Sequence, residues 1–143
     1  MPTGPRRKGR EAALKILFQM DLAASQADEA IEGYWENFDL EAEGDEYADS
    51  LVQGFDQHRD QIDKTIQEAS AHWRLERMAR VDRNVLRIGT YELLYCPDVP
   101  TRVILDEAIE LGKRFGSEES GAFVNGVLDR VAQAVRSAAE EGQ

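Results

Sequence analysis

The chain has one cysteine, Cys96, so no internal disulfide can form and no zinc site can be built from thiolates. Cys96 reads as a small, partly buried filler. There are two histidines, and neither His58 nor His72 has a Cys or His at metal-ligand spacing. Both read as surface or boundary residues, and no metal is expected. No apolar run approaches the ~20 residues that span a bilayer. The basic N-terminus also lacks the apolar stretch of a secretory signal, so the expectation is a cytoplasmic protein with no membrane attachment. Catalytic signatures are missing as well: no phosphate loop ending in Gly-Lys-Ser/Thr, no GxGxxG, no HExxH and no serine elbow. The acidic pairs Asp106–Glu107 and Glu118–Glu119 are sequence neighbours. On a helix such neighbours point about 100° apart and make no two-carboxylate site. These absences point away from an enzyme or a cofactor and towards a protein that works by binding.

What the chain has is charge, unevenly placed. Its 143 residues, 42% hydrophobic and 31% charged, fit one soluble globular domain with a moderate core. Net charge is −11. Residues 1–20 carry Arg6, Arg7, Lys8, Arg10 and Lys15 against Glu11 alone, a net of +4. Residues 21–70 carry fifteen acids against Arg59 and Lys64, a net of −13, whereas residues 71–143 carry ten bases and twelve acids. A uniformly acidic protein repels nucleic acid. A basic arm on an acidic body can hold a phosphate backbone locally and offer its acidic face to a basic protein. The plainer alternative is a solvated acidic surface that only keeps the protein soluble.

Periodicity predicts an all-α fold of about seven helices. Residues 1–9 read as a basic flexible arm, because Pro2, Gly4, Pro5 and Gly9 discourage helix. A helix from near Arg10 places Ala13, Leu17, Met20 and Ala24 on one stripe, with Leu14 and Phe18 beside it. Ser25 and Asp28 can cap the next helix, which carries Ile31, Tyr34, Trp35 and Phe38. Leu40–Glu46 is an acidic connection. The apolar face of Leu51, Val52 and Phe55 continues through Ile62, Ile66 and Trp73, as one long helix or two broken near Gln57–Asp60. After a turn at Trp73–Met78, a central buried helix runs over Ala79–Tyr95. Pro97 ends it, and Asp98 can cap the following helix with Pro100 in its first turn. Gly116 is expected in the left-handed conformation at that helix's end. Ser117 then caps a last helix, lined inside by Val124, Val127, Val131, Val135 and Ala138.

Several segments carry binding chemistry, each beside a plainer reading. Arg6-Arg7-Lys8-Gly9-Arg10 puts four cations in five residues. Guanidinium forks suit phosphate oxygens, and a ring at Phe18 can stack a base nearby. Equally, basic termini are common and Phe18 can be core. Lys113-Arg114 sit at a helix C-terminus, followed by Ser117-Glu118-Glu119 at a helix start. A phosphate site is one reading, and simple capping is the one that this segment alone favours. Asn125 reads as a buried amide tying helix ends together. Trp73-Arg74-Leu75-Glu76-Arg77 reads as a corner between helices rather than an exposed docking edge.

Taken together, three stretches resemble the NusB family of transcription antitermination factors. The start Arg6-Arg7-Lys8-Gly9-Arg10-Glu11-Ala12-Ala13-Leu14 is similar to the family's arginine-rich start. Asp82-Arg83-Asn84-Val85-Leu86-Arg87-Ile88-Gly89-Thr90-Tyr91-Glu92-Leu93 resembles its central-helix motif. Asp98-Val99-Pro100 through Phe123-Val124-Asn125-Gly126-Val127-Leu128-Asp129 resembles its C-terminal motif, the most specific of the three. Residues 21–70 match only in length and helical pattern.

The resemblance implies two small helical bundles, here 10–70 and 71–143, and no catalytic activity. It implies binding to the boxA element of ribosomal RNA leader transcripts, together with NusE, a small-subunit ribosomal protein, in an RNA polymerase complex that resists termination. Carried over by position, Arg6, Arg7, Lys8 and Arg10 match the RNA-binding arm, and Phe18 matches a position usually aromatic at the RNA surface. Lys113, Arg114, Glu118 and Glu119 match the loop and helix start near the RNA path. Glu76 and Asp82 match acidic positions facing NusE. Ser70 stands where some members carry an aromatic RNA contact, so that contact is in doubt here. Two other readings stand beside this one. NusB-like domains also occur at the N-terminus of certain rRNA cytosine methyltransferases, which would require a catalytic domain beyond Gln143. A protein-only helical adaptor would leave the arm unused.

Overall fold

A computed structural model describes residues 5–37 and 45–141, with seven α-helices, one 3-10 turn and no strand among them. Expectations for residues 1–4, Phe38 and most of the 40–46 connection lie outside the described residues, as does the side chain of Ala138. The chain divides into two compact units, Met1–Gln57 and His58–Gln143.

The first unit packs α1 (Pro5–Ala23), α2 (Ala27–Asn37) and α3 (Asp45–Gln57). The expected stripe on α1 is real: Ala13, Leu14, Ile16, Leu17 and Met20 are buried, and α3 answers with Ala48, Leu51, Val52 and Phe55. Each large side chain so buried contributes about 1.5–3 kcal/mol. Helix α2 is tied to α3 by Trp35 Nε1 donating to Asp49 at 2.9 Å and Gln53 donating to Asp28 at 3.2 Å. Burial pushes the Tyr34 phenol above its ordinary range, helped by the Glu11 carboxylate. For residues 5–9 the reading as a flexible arm is corrected: α1 begins at Pro5, not near Arg10. Proline is well placed in a first turn, where its missing N–H is no loss. The penalty at Gly9 is offset by the packing of the helix that follows.

The second unit contains α4 (Arg59–Ala69), the 3-10 turn Leu75–Arg77, α5 (Arg80–Tyr95), α6 (Thr101–Phe115) and α7 (Ser120–Glu141). The boundary between the units is therefore at the break near Gln57–Asp60, not at 70/71. The reason is visible in α4, which buries Ile62 and Ile66 and packs on α5 and α7. Arg87 also forks onto Asp63 through Nε at 2.9 Å and Nη2 at 3.0 Å. Helix α5 is central, as expected, with Asn84 through Thr90 all buried. Asn84 is the buried amide of this unit and accepts from Arg87 Nη1 at 3.1 Å. Asn125, expected in that role, is exposed on α7.

Two termini differ from expectation. Helix α6 has Pro100, not Asp98, at its N-cap position. Gly116 has φ −103° and ψ −155°, which is extended rather than left-handed. It must be glycine for space: a Cβ there would collide with Ser120 Oγ and stand 2.8 Å from the Gly112 carbonyl. That crowding reflects a reciprocal cap, in which Ser117 N–H donates to Ser120 Oγ at 2.9 Å and Ser120 N–H donates to Ser117 O at 3.1 Å.

Candidate nucleic-acid interface

In the first unit the cations lie in the opening turns of α1. No acid accompanies them in the first turn. A helix N-terminus carries partial positive charge, so cations there are disfavoured by about 0.3–1 kcal/mol each. Local helix energetics therefore do not explain the cluster. Tyr47 on α3 partly answers for it: the Arg6 guanidinium lies 5.5 Å and that of Arg10 5.6 Å from its ring centroid. The two arginines are one turn apart and share that face. Arg10 is only 3% exposed, while Arg6 is exposed and Arg7 and Lys8 are half-buried. The fold separates them into outer members and one that is sunk against an aromatic ring. Phe18 is half-buried on the same helix, which leaves part of its ring accessible.

In the second unit the expected residues gather at the α6–α7 corner. Lys113 and Arg114 are exposed in the last turn of α6, where the helix dipole favours them. The Arg114 guanidinium lies 5.1 Å from the Phe115 ring. Glu118 and Glu119 are exposed between the Ser117–Ser120 cap residues. Beside this corner is a cleft of about 290 Å³ whose lining includes Asp82, Ser117, Glu119, Phe123 and Trp73. Asp82, expected from the resemblance to face the protein partner, and Glu119, expected near the RNA path, thus border one cavity. Asp82 is half-buried, and its Oδ1 has no hydrogen-bond partner among the described residues. Glu76 is exposed on the 3-10 turn and pairs loosely with Arg74 at 3.6 Å.

Ser70 is 2% exposed, and its hydroxyl donates to the Ile66 carbonyl at 2.8 Å. It offers no surface for a ligand. Trp73, three residues later, is 59% exposed and meets Phe123 edge-to-face at 6.1 Å. The segment read as a corner is a corner, yet its tryptophan faces solvent. The available signal was a tryptophan flanked by arginines at 74, 77 and 80.

Comparison with known proteins agrees with both units. The family model described as NusB family matches residues 7–133. The chain is 55% identical over 130 residues to a transcription antitermination protein NusB from Sorangium cellulosum, covering 91% of this chain and 93% of that one. It is 51% identical over 136 residues to the protein of the same name from Myxococcus xanthus, covering 92% and 97%. Among solved structures, T. maritima NusB superposes with a TM-score of 0.81 at 41% identity, covering 93% of each chain. A structure of the antitermination factors NusB and NusE in complex with dsRNA superposes with a TM-score of 0.83 at 28% identity, covering 91% of this chain and 97% of that one. Nearly the full helical framework and more than half of the aligned residues in the first of these relatives are shared, so the chain belongs to the NusB family.

Proposed function

We propose that this protein is an RNA-binding transcription antitermination factor that acts without catalysis in the cytoplasm. It binds the boxA element of ribosomal RNA leader transcripts together with NusE and joins an RNA polymerase complex that resists termination. The observation that carries this reading is the cationic opening of α1, which is unfavourable for the helix itself and is organised on the Tyr47 ring. Arg6, Arg7 and Lys8 engage phosphates. Arg10 holds the face in place from beneath, and Phe18 supplies an aromatic surface for a base. In the second unit Lys113, Arg114, Glu118 and Glu119 lie along the RNA path, while Glu76 and Asp82 face the basic ribosomal protein. The match of a solved NusB–NusE–dsRNA complex over 91% of this chain supports the pairing of RNA and protein partners.

Because Arg10 is buried, the informative variant is Arg6, Arg7 and Lys8 replaced by alanine, with Arg10 kept. Fluorescence anisotropy with boxA and scrambled RNA, with and without NusE, over a salt series tests the reading. Binding should favour boxA, tighten with NusE and weaken with salt. The variant should lose affinity and flatten the log–log salt slope by about 2, at roughly 0.7 per phosphate contact on a single strand. Equal affinity for both RNAs under all conditions would refute the function. An unchanged slope in the variant would refute the assignment of the arm.

A further inference from the structure

Trp73 is the most exposed Trp, Tyr or Phe among the described residues. An indole left in water forgoes one of the largest burial contributions a side chain can make. Its main chain, by contrast, is held firmly. Trp73 N–H donates to Ser70 O at 2.8 Å. Gln67 Nε2 donates to Trp73 O at 2.8 Å, and Gln67 Oε1 accepts from Leu75 N–H at 2.9 Å. One glutamine side chain thus braces the residue on both sides. Arg130 Nη1 adds a bond to the Ala69 carbonyl at 2.8 Å, just before the turn. A fixed main chain under an exposed ring is pre-organisation, since much of the ordering is complete before a ligand arrives.

The edge-to-face contact with Phe123, at an interplanar angle of 84°, covers less ring face than a parallel stack does. The adjoining cleft leaves room at the ring. Charge selects the occupant. Residues 71–83 carry Arg74, Arg77, Arg80 and Arg83 against Glu76 and Asp82, a net of +2 in a chain of −11. Arg74, Arg77 and Arg80 are exposed. Among the charged residues of the cleft, Arg77 stands against Asp82 and Glu119, acids that suit a basic protein, while the exposed Arg74, Arg77 and Arg80 run along the segment that carries the ring; a nucleic-acid strand brings phosphates for those arginines and a flat face for the indole. Sequence-tolerant single-strand binding combines these two parts.

We propose that Trp73 is a base-stacking platform. One unpaired nucleobase of the transcript lies against the indole, Phe123 forms a side wall, and Arg74 and Arg77 meet the flanking phosphates. This rests on the RNA-binding reading above and adds a contact in the second unit that takes the place of the surface missing at Ser70.

The test uses the full chain and single-stranded boxA RNA. Trp73→Leu should lower affinity by about 5- to 160-fold, the range of one stacked base. Trp73→Phe should keep most of the affinity, and neither change should alter the salt slope. In a Trp35→Phe background Trp73 is the sole indole, and RNA should quench its emission. Wild-type RNA binding that Trp73→Leu leaves intact, with no quenching, overturns this proposal alone. Loss of NusE binding by Trp73→Leu at full RNA affinity overturns it in favour of a protein-docking ring. Wild-type protein that binds no RNA overturns both this and the reading beneath it.

Discussion

The two units use arginine in different ways. In the first, Arg6 and Arg10 share one tyrosine ring at the start of a helix, with Arg6 exposed and Arg10 buried. In the second, Arg87 and Arg136 are turned into the protein. Arg87 grips Asp63 and Asn84. Arg136 donates to the carbonyls of Glu92, Leu93, Cys96 and Val99 and to the Thr101 hydroxyl, gathering the end of α5 and the start of α6. Positive charge in a sequence is therefore not the same as positive surface. Some of the ten bases in residues 71–143 hold helix ends together, and others, including Arg74, Arg77, Lys113 and Arg114, remain exposed.

If this contrast is right, the largest stability effects come from the inward arginines. Asp63→Ala removes the carboxylate from the Arg87 guanidinium, whose side chain is 7% exposed, and should cost about 3 kcal/mol in urea denaturation. Replacing both partners together, as Asp63→Leu with Arg87→Met, should recover most of that loss. A small effect of Asp63→Ala would place Arg87 among the outward cations and weaken the comparison.

Arg136→Ala is next. It removes five hydrogen bonds from a charged donor group, four of them to carbonyls at helix ends. Water can reach some of these acceptors because Arg136 is only half-buried, so the expected loss is about 2 kcal/mol rather than the full sum. RNA affinity measured well below the melting temperature should be unchanged. A fall in affinity without a fall in stability would make Arg136 a binding residue instead.

Much of this was readable from residues alone, for identifiable reasons. Helical stripes on α1, α3 and α5 survive folding because burial follows a 3.6-residue period. The break near Gln57–Asp60 is marked in the sequence too, although apolar spacing alone fits either one helix or two there. What the sequence could not show depends on contacts far along the chain. Arg10 is buried with its guanidinium over Tyr47, a residue of another helix, and nothing local to residue 10 says so. Residues 5–9 look loose in sequence because Pro5 and Gly9 are weak helix formers, a preference that packing overrides. Asn84 and Asn125 are both asparagines among apolar neighbours, and only the packing around the central α5 decides that Asn84 is the buried one. Trp73 fits a helical stripe by spacing, yet α4 ends at Ala69 and the turn carries the ring outward.

Tyr47→Leu sharpens the comparison from the first unit's side. It keeps an apolar side chain but removes the quadrupole beneath Arg6 and Arg10, at a cost of about 1 kcal/mol. Its main effect should fall on function. Freed of the ring, the cationic face loses its order, and RNA affinity should drop several-fold while the salt slope stays the same, because no charge is lost. A variant that melts earlier yet binds RNA normally would show that the ring serves stability alone.

The smallest effect concerns a feature that no charge or stripe announces. Ala24, just past the end of α1, has φ of 52°, a left-handed conformation that costs an L-residue about 1 kcal/mol through crowding of its Cβ against the backbone. Glycine adopts that conformation freely at a helix C-terminus. Ala24→Gly should therefore stabilise the first unit by somewhat less than about 1 kcal/mol, because glycine's extra freedom in the unfolded chain offsets part of the relief. Hydrogen exchange should report the gain at the amides of α1 and α2, with those of α5 to α7 unaffected. RNA binding should not change, since Ala24 is 14 residues from Arg10. Destabilisation by this substitution would mean that the Ala24 methyl makes contacts worth more than the strain it imposes, and that the turn after α1 is held by packing rather than tolerated.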